Sequence, residues 1–207
     1  MLGPHFHYED AAIHSGTLRV AGVDEVGRGP LAGPVTAAAV ILDPDNIPYG
    51  INDSKKLSLQ KREALYDVLM DVADVSVAHA SVEEVDKLNI LQASFLAMRR
   101  AIDGLRNAPN LALIDGSQLP NDMPCEARSI VKGDTISVSI AAASIIAKVT
   151  RDRIMWDLAQ QFPGYGWETN AGYGSKSHMK ALEKLGATPH HRRSFKPVHN
   201  ILYQEKT

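Results

Sequence analysis

Val23-Asp24-Glu25-Val26-Gly27-Arg28-Gly29-Pro30-Leu31-Ala32-Gly33-Pro34 turns an apolar run into a glycine- and proline-rich loop. Leu18 to Val26 reads as a strand, and Val35 to Leu42, with small residues between β-branched ends, reads as a second, buried strand. The stretch between them sets two adjacent carboxylates beside an arginine bracketed by glycines. Carboxylates hold hard divalent cations, and glycines let backbone N–H groups approach a ligand closely. A guanidinium supplies a permanently charged planar fork suited to phosphate. One segment thus has the parts to hold a metal and grip a nucleic-acid backbone beside it.

Outward from this stretch the chain alternates between periods. Asp43-Pro44-Asp45-Asn46 is turn chemistry, and Asn52-Asp53-Ser54-Lys55-Lys56 is a polar loop. Leu59 to Ala73 carries Leu65, Val68, Leu69 and Val72 on one helical face. Asp74 to Val82 alternates as a strand. Leu91, Phe95, Met98, Ile102 and Leu105 step by four, three, four and three, the signature of a second amphipathic helix. Leu111 to Asp115 is a short apolar strand stopped at Asp115-Gly116, and Ala127 to Val131 is a further strand. A long helix is expected from Asp134 to about Gln160, with Ala141-Ala142-Ala143 allowing close approach to a sheet. The stretch 164–174 reads as a loop, His178 to Leu185 as a short helix, and Pro189 to Lys196 as a basic tail. Three strands, then helices alternating with two more, give an α/β domain with a mixed sheet.

Composition narrows the function classes. The chain has 207 residues, 44% of them hydrophobic, and a formal net charge of −2. That is enough chain for one substantial core, and too near neutrality for a protein that coats nucleic acid with its whole surface. Any nucleic-acid surface must therefore be local. Cys125 is the single cysteine, which offers neither a disulfide framework nor a thiolate metal cage. This fits a reducing cytoplasm. No apolar run reaches the roughly 18 residues of a membrane span, and the start lacks the pattern of a signal peptide. Residues 1–17 read as a flexible N-terminal arm, 18–200 as the folded domain with a helical C-terminal region over about 160–200, and 201–207 as a tail.

Three segments each end with a carboxylate where an apolar element stops: Asp24-Glu25, Asp115 and Asp134. Each has an ordinary alternative. Asp-Glu pairs are commonly solvated surface, Asp-Gly is commonly a turn, and Asp134 suits a helix N-cap. Neighbouring residues on a strand face opposite ways, so Asp24 and Glu25 share one site only if the strand ends or bulges there. Convergence favours a site, because ligands gather at the carboxyl ends of strands in α/β sheets. An all-oxygen donor set points to Mg²⁺ or Mn²⁺ rather than Zn²⁺. Lys55, Lys56, Lys148, Arg151, Arg153, Arg192, Arg193 and Lys196 offer basic company, each alone readable as a solvated charge. Tyr173, between Gly172 and Gly174, is placed to stack on a base or sugar, or simply to pack in its loop. The spacing Gly27-Arg28-Gly29…Gly33 is not the dinucleotide-binding fingerprint, and no His-Glu-x-x-His arrangement exists. His190-His191 reads as surface.

With these residues assembled, the chain resembles the bacterial ribonuclease HII family. The matching segments are 24–34, Asp53-Ser54-Lys55-Lys56-Leu57, Ile114-Asp115-Gly116, Lys132-Gly133-Asp134, the run 141–152, Gly172-Tyr173-Gly174-Ser175-Lys176-Ser177-His178, and His191-Arg192-Arg193-Ser194-Phe195. The ordered set is far more specific than any one motif. The resemblance implies an α/β, ribonuclease H-like fold: a mixed five-stranded sheet flanked by helices, with a small helical C-terminal region. It implies hydrolysis of RNA in RNA–DNA hybrids and incision 5′ to single ribonucleotides in duplex DNA, by a monomer with no membrane partner. By motif match, Asp24, Glu25, Asp115 and Asp134 become the catalytic, metal-binding carboxylates, working through two Mg²⁺ or Mn²⁺ ions. Gly27, Arg28, Gly29 and Tyr173 become the readers of the ribonucleotide, with Lys55, Lys148 and Arg151 as phosphate contacts. Asn170-Ala171 departs from the basic residue often found before the Gly-Tyr motif, which touches one local backbone contact. The residues before the first strand are too few for the N-terminal domain usual in ribonuclease HIII. Another metal-dependent nuclease or resolvase of the same fold class, and a non-catalytic nucleic-acid binder, remain the alternatives; a pure binder has no use for carboxylates that repel phosphate.

Overall fold

A computed structural model describes residues 3–203. Five strands form one sheet in the order β3-β2-β1-β4-β5, from β1 Val20–Val26, β2 Val35–Ile41, β3 Asp74–Ala80, β4 Leu111–Asp115 and β5 Glu126–Ile130. The β1-β2 and β2-β3 pairs are antiparallel, while β4 runs parallel to both β1 and β5. The glycine-proline loop 27–34 joins β1 to β2 as a hairpin, whereas the connection from β2 to β3 carries the helix Leu59–Val72. The long crossover Ile90–Asp103 (α4) brings β4 back parallel beside β1, as parallel pairing requires.

Alternation along β1 assigns its two faces. Ala21 and Val23 pack with Ala93, Ala97, Met98 and Ile102 of α4. Gly22 lies on the opposite face, under the start of the long helix α5, Val138–Gln161, where a Cβ would collide with the backbone of Ser139. Glycine here lets α5 settle directly on the strand, and Ala141, Ala142 and Ala143 continue that close contact with Ala38 and Val40 of β2. Helix α2, Leu59–Val72, packs outside α5 through Leu69. A third apolar cluster joins the end of α5 (Met155, Leu158, Ala159) to the small helices α6 Trp167–Asn170, α7 Lys176–Leu185 and α8 Lys196–Tyr203. Leu31 and Ala32 of the glycine-proline loop belong to this cluster, so the C-terminal helices hold that loop against the domain.

Five sequence expectations need correcting. The residues read as a flexible arm contain helix α1, His7–His14, which buries Glu9 and Ala12; Ala12 packs against Val20, Leu111 and Ile140. An additional helix, α3 Val82–Leu88, follows β3; its signal was present as a capping box, since Ser81 and Glu84 satisfy each other's backbone N–H groups. The long helix starts at Val138, capped by the Ser137 hydroxyl, and Asp134 sits in a separate 3₁₀ turn, Gly133–Thr135. Within the expected 164–174 loop lies the one-turn helix α6. Of the expected tail 201–207, residues 201–203 continue α8 and 204–207 lie outside the described residues.

Candidate active site

Asp24, Glu25 and Asp115 lie at the carboxyl ends of two adjacent parallel strands. The register pairs Val23 with Ile114, so Asp24 and Asp115 are the next residues along β1 and β4. Both lie on the α5 face, following the alternation of Gly22 and of Leu111 and Leu113. Glu25 faces the other way and lines a cleft of about 320 Å³ with Arg28, Phe95, Met98, Asp115 and Gln118. The pair Asp24-Glu25 therefore straddles the sheet edge. Asp134 approaches from the turn before α5, and the Gly133 N–H donates to Asp115 Oδ1 at 2.6 Å.

The four carboxylates repel one another. Asp24, 7% exposed, has its pKa raised well above the usual aspartate value, first by burial and then by Glu25, Asp115 and Asp134. Burial also raises Glu25, against the opposing pull of Arg28, whose guanidinium lies 3.2 Å from Oε1. Asp115 is raised by burial and by Asp134, with the backbone N–H groups of Gly133 and Asp134 working the other way. Lys55, whose side chain is largely exposed, reaches to 3.4 Å from Asp134 Oδ2. Burial alone would lower the Lys55 pKa; Asp134, Asp53 and Asp24 overcome it and hold the ammonium above its usual value.

Among the described residues no three acidic or imidazole side chains already converge around a single ion. The set is an open one, and its chemistry still fits a hard cation. All donors are oxygen, Glu25 Oε2 is buried with no hydrogen-bond partner, and the mutual repulsion needs neutralising. Mg²⁺ keeps several of its waters and takes only one or two carboxylates at a time, which an open set supplies.

The loop 27–34 sits beside this cluster, held from beneath by two arginines. Arg192 is fully buried and donates to the carbonyls of Gly27, Arg28, Pro30 and Gly33 at 2.6–3.0 Å. Arg151, also fully buried, donates to Pro34, Ala32 and Ala171 at 3.0–3.1 Å. A Cβ at Gly27, whose φ is +90°, would run into the Arg151 guanidinium. Among the described residues neither arginine has a carboxylate partner, and burial lowers their pKa values to about 10 and about 9 for Arg151 and Arg192, with mutual repulsion adding to the second. Arg151 is thus a structural clamp and not the phosphate contact expected from the sequence. Arg192 is likewise no part of an exposed basic tail.

Tyr173 is half exposed, with its ring beside Gly29: a Cβ there would stand 3.3 Å from the ring edge. Leu31 N–H donates to Gly172 O at 2.7 Å, joining the two loops directly. Behind Tyr173 lies a buried network that sequence reading missed. His178 Nδ1 contacts Tyr173 O at 2.9 Å, and its Nε2 lies 3.1 Å from both Trp167 Nε1 and His191 Nε2. His191 Nδ1 accepts from Thr188 N–H at 2.9 Å. His191, expected on the surface, is fully buried because it completes this network; burial first, then His178 and His190, lowers its pKa to about 4. Lys148 is half-buried, pairs with Asp152 at 2.7 Å, and lines a groove with Arg62, Arg153 and Trp156 away from the carboxylates. The structure therefore brings together Asp24, Glu25, Asp115, Asp134, Lys55, Gly27, Arg28, Gly29 and Tyr173, sets Arg151 beneath the loop with its guanidinium engaged by backbone carbonyls, and leaves Lys148 apart.

A β3-β2-β1-β4-β5 mixed sheet with acidic groups at the ends of β1 and β4 and ahead of the long helix defines a protein of the ribonuclease H-like class. The family model described as Ribonuclease HII matches residues 21–198. Curated proteins named Ribonuclease HII are 66% identical over 92% of this chain and 96% of the relative in Roseobacter denitrificans, and 62% identical over 100% and 99% in Paracoccus denitrificans. The solved ribonuclease H2 from Pyrococcus horikoshii OT3 superposes with a TM-score of 0.74 at 29% identity, covering 89% of this chain and 97% of its own. A ribonuclease HIII solved in complex with Mn²⁺ shares the fold at a TM-score of 0.74 and 21% identity, with 93% of this chain and 71% of that chain aligned. The chain belongs to the ribonuclease HII family.

Proposed function

We propose that this chain is a metal-dependent endoribonuclease that hydrolyses the RNA strand of RNA–DNA hybrids and incises 5′ to single ribonucleotides in duplex DNA, leaving 5′-phosphate and 3′-hydroxyl ends. The observation that carries this reading is the adjacency of two features: a repelling carboxylate cluster, and a glycine loop paired with an exposed tyrosine. Asp24, Glu25, Asp115 and Asp134 hold two divalent ions, Mg²⁺ or Mn²⁺. When bound, such ions lower the pKa of an attacking water and stabilise the leaving 3′ oxygen.

The chain's own residues do the rest. Gly27, buried against Arg151, turns the loop at a φ of +90°, and Gly29 lies exposed beside Tyr173; among the described residues no partner within the protein engages the N–H groups of residues 27–29. The 2′-hydroxyl, donor and acceptor at once, is the group these N–H groups and Tyr173 would distinguish from a deoxyribose. Arg28, tethered to Glu25, lies between reader and carboxylates and is positioned for the phosphate. Lys55 neutralises charge over Asp134 and offers an exposed ammonium to the nucleic-acid backbone; Lys148 is a more remote phosphate contact. Among the described residues no helix is long and apolar enough to cross a membrane, and one cysteine suits a reducing compartment. We place the protein in the cytoplasm, acting as a monomer.

The test is incision of a labelled duplex carrying one ribonucleotide, with the all-DNA duplex alongside, in Mg²⁺, Mn²⁺ and chelator. Metal-dependent cutting 5′ to the ribonucleotide, with the DNA duplex intact, is the expected result. Cleavage of both duplexes would instead make the chain a general nuclease of the same class.

A further inference from the structure

Glu9 lies on α1, away from the sheet edge, and is fully buried. Its Oε1 accepts from the hydroxyls of Ser137 and Ser139, each at 2.5 Å, and from Ser139 N–H at 3.0 Å. Its Oε2 is buried and has no hydrogen-bond partner among the described residues. A buried carboxylate met only by neutral donors, with one oxygen bare, is costly. Docking α1 would be served as well by an apolar side chain, as Ala12 shows one turn on. What the carboxylate adds is its link to the two serines at the start of α5, where the helix end favours negative charge.

From those serines a continuous hydrogen-bonded path leads to the carboxylate cluster. Ser137 N–H donates to Gly133 O at 2.8 Å and Ile136 N–H to the same oxygen at 2.9 Å. Gly133 N–H then donates to Asp115 Oδ1 at 2.6 Å. Asp134 sits inside this turn. The segment before α1 is tied to the same place, with His5 N–H donating to Ile136 O and Val138 N–H to His5 O.

We infer that Glu9 is a positioning residue for the metal site: through Ser137 and Ser139 it fixes the Gly133–Ser137 turn, and with it the placement of Asp134 relative to Asp24 and Asp115. The inference rests on the reading above that these carboxylates hold divalent cations. Groups that orient metal ligands without touching the metal govern affinity as well as shape. Ligand placement, and not only the docking of α1, therefore depends on Glu9.

The experiment is Mn²⁺ binding to the substrate-free chain by electron paramagnetic resonance, well below the melting temperature of each variant. Glu9→Ala should weaken Mn²⁺ binding about tenfold. Glu9→Gln should stay within about twofold, because its amide oxygen still accepts from both serines and its NH₂ replaces the bare oxygen. Val198→Ala, a cavity in the C-terminal cluster, should lower the melting temperature and leave Mn²⁺ binding unchanged. Wild-type Mn²⁺ binding by Glu9→Ala, however low its melting temperature, overturns the inference and leaves Glu9 a fold stabiliser. Should Glu9→Ala fail to fold, Ser139→Ala takes its place, with a loss of about threefold expected and no loss overturning it. A wild-type chain that binds Mn²⁺ but cuts no ribonucleotide-bearing duplex would defeat the proposed function and leave this inference standing. One that binds no Mn²⁺ would defeat both.

Discussion

Asp24 and Arg192 are both charged and both buried, 7% and 0% exposed, and neither charge is neutralised by a close partner of opposite sign. They differ in what surrounds them. The Arg192 guanidinium has its donors engaged by four backbone carbonyls of one loop. Asp24 accepts one bond, from Glu25 N–H at 2.7 Å, and faces three further carboxylates. The buried cation is solvated by the protein and holds a loop in shape. The buried anion is held in a repulsive set that only something from outside can satisfy. In this pair, burial of charge marks architecture where the hydrogen bonds are complete, and a site where they are not.

The largest effect that sharpens this contrast is on turnover. Asp24→Asn and Asp115→Asn should each lower incision by about a thousandfold or more, corresponding to roughly 4 kcal/mol of transition-state stabilisation, with circular dichroism unchanged. Near-wild-type rates at saturating Mg²⁺ would show that the cluster is not the reacting centre. On the architectural side, Arg192→Met strands four carbonyls at about 1–3 kcal/mol each, so chemical denaturation should show the chain's stability cut severely or lost. A Met variant as stable as the wild type would mean that the loop keeps its shape without the clamp.

Much of this contrast was hidden in the sequence. The strands ending at Val26 and Asp115 were legible as apolar runs because both of their faces are buried, and the helix bearing Phe95, Met98 and Ile102 because the 3.6-residue period survives where one face is buried. The carboxylates were legible because each falls where such an element stops. Arg151, Arg192 and His191 were not, since a charged or polar residue reads as exposed from composition. Their burial depends on partners such as Ala32, Pro34 and Trp167 that are distant in sequence. Helix α1 was lost for the same reason, because Glu9 sits on the face it buries and breaks the apolar pattern.

Smaller effects refine the comparison. Tyr173→Ala should raise the KM for a single-ribonucleotide duplex about tenfold, from the roughly 1–3 kcal/mol that a base stack contributes, while melting stays near wild type. An unchanged KM would remove Tyr173 from the reading surface. The imidazole network gives a pH effect. His191 has a folded pKa of about 4, below the ordinary 6.5, so the unfolded chain takes up a proton that the folded one refuses. That contribution to stability is whole above about 6.5 and is lost progressively as pH falls toward 4. Melting of Asp24→Asn, which lacks one of the three opposing raised carboxylates and relieves the repulsion on Glu25 and Asp115, should decline across that window. A flat profile between pH 7 and 5 would contradict a neutral buried histidine pair.

The most direct measurement is the melting temperature of the wild type and of Asp24→Asn, without substrate, across a Mg²⁺ titration that begins in chelator. If the carboxylates form an unsatisfied set awaiting cations, the wild type melts lower than Asp24→Asn in chelator and rises with Mg²⁺ by linkage, while the variant starts higher and gains much less. A wild type that is the more stable of the two in chelator, and is indifferent to Mg²⁺, would contradict the account.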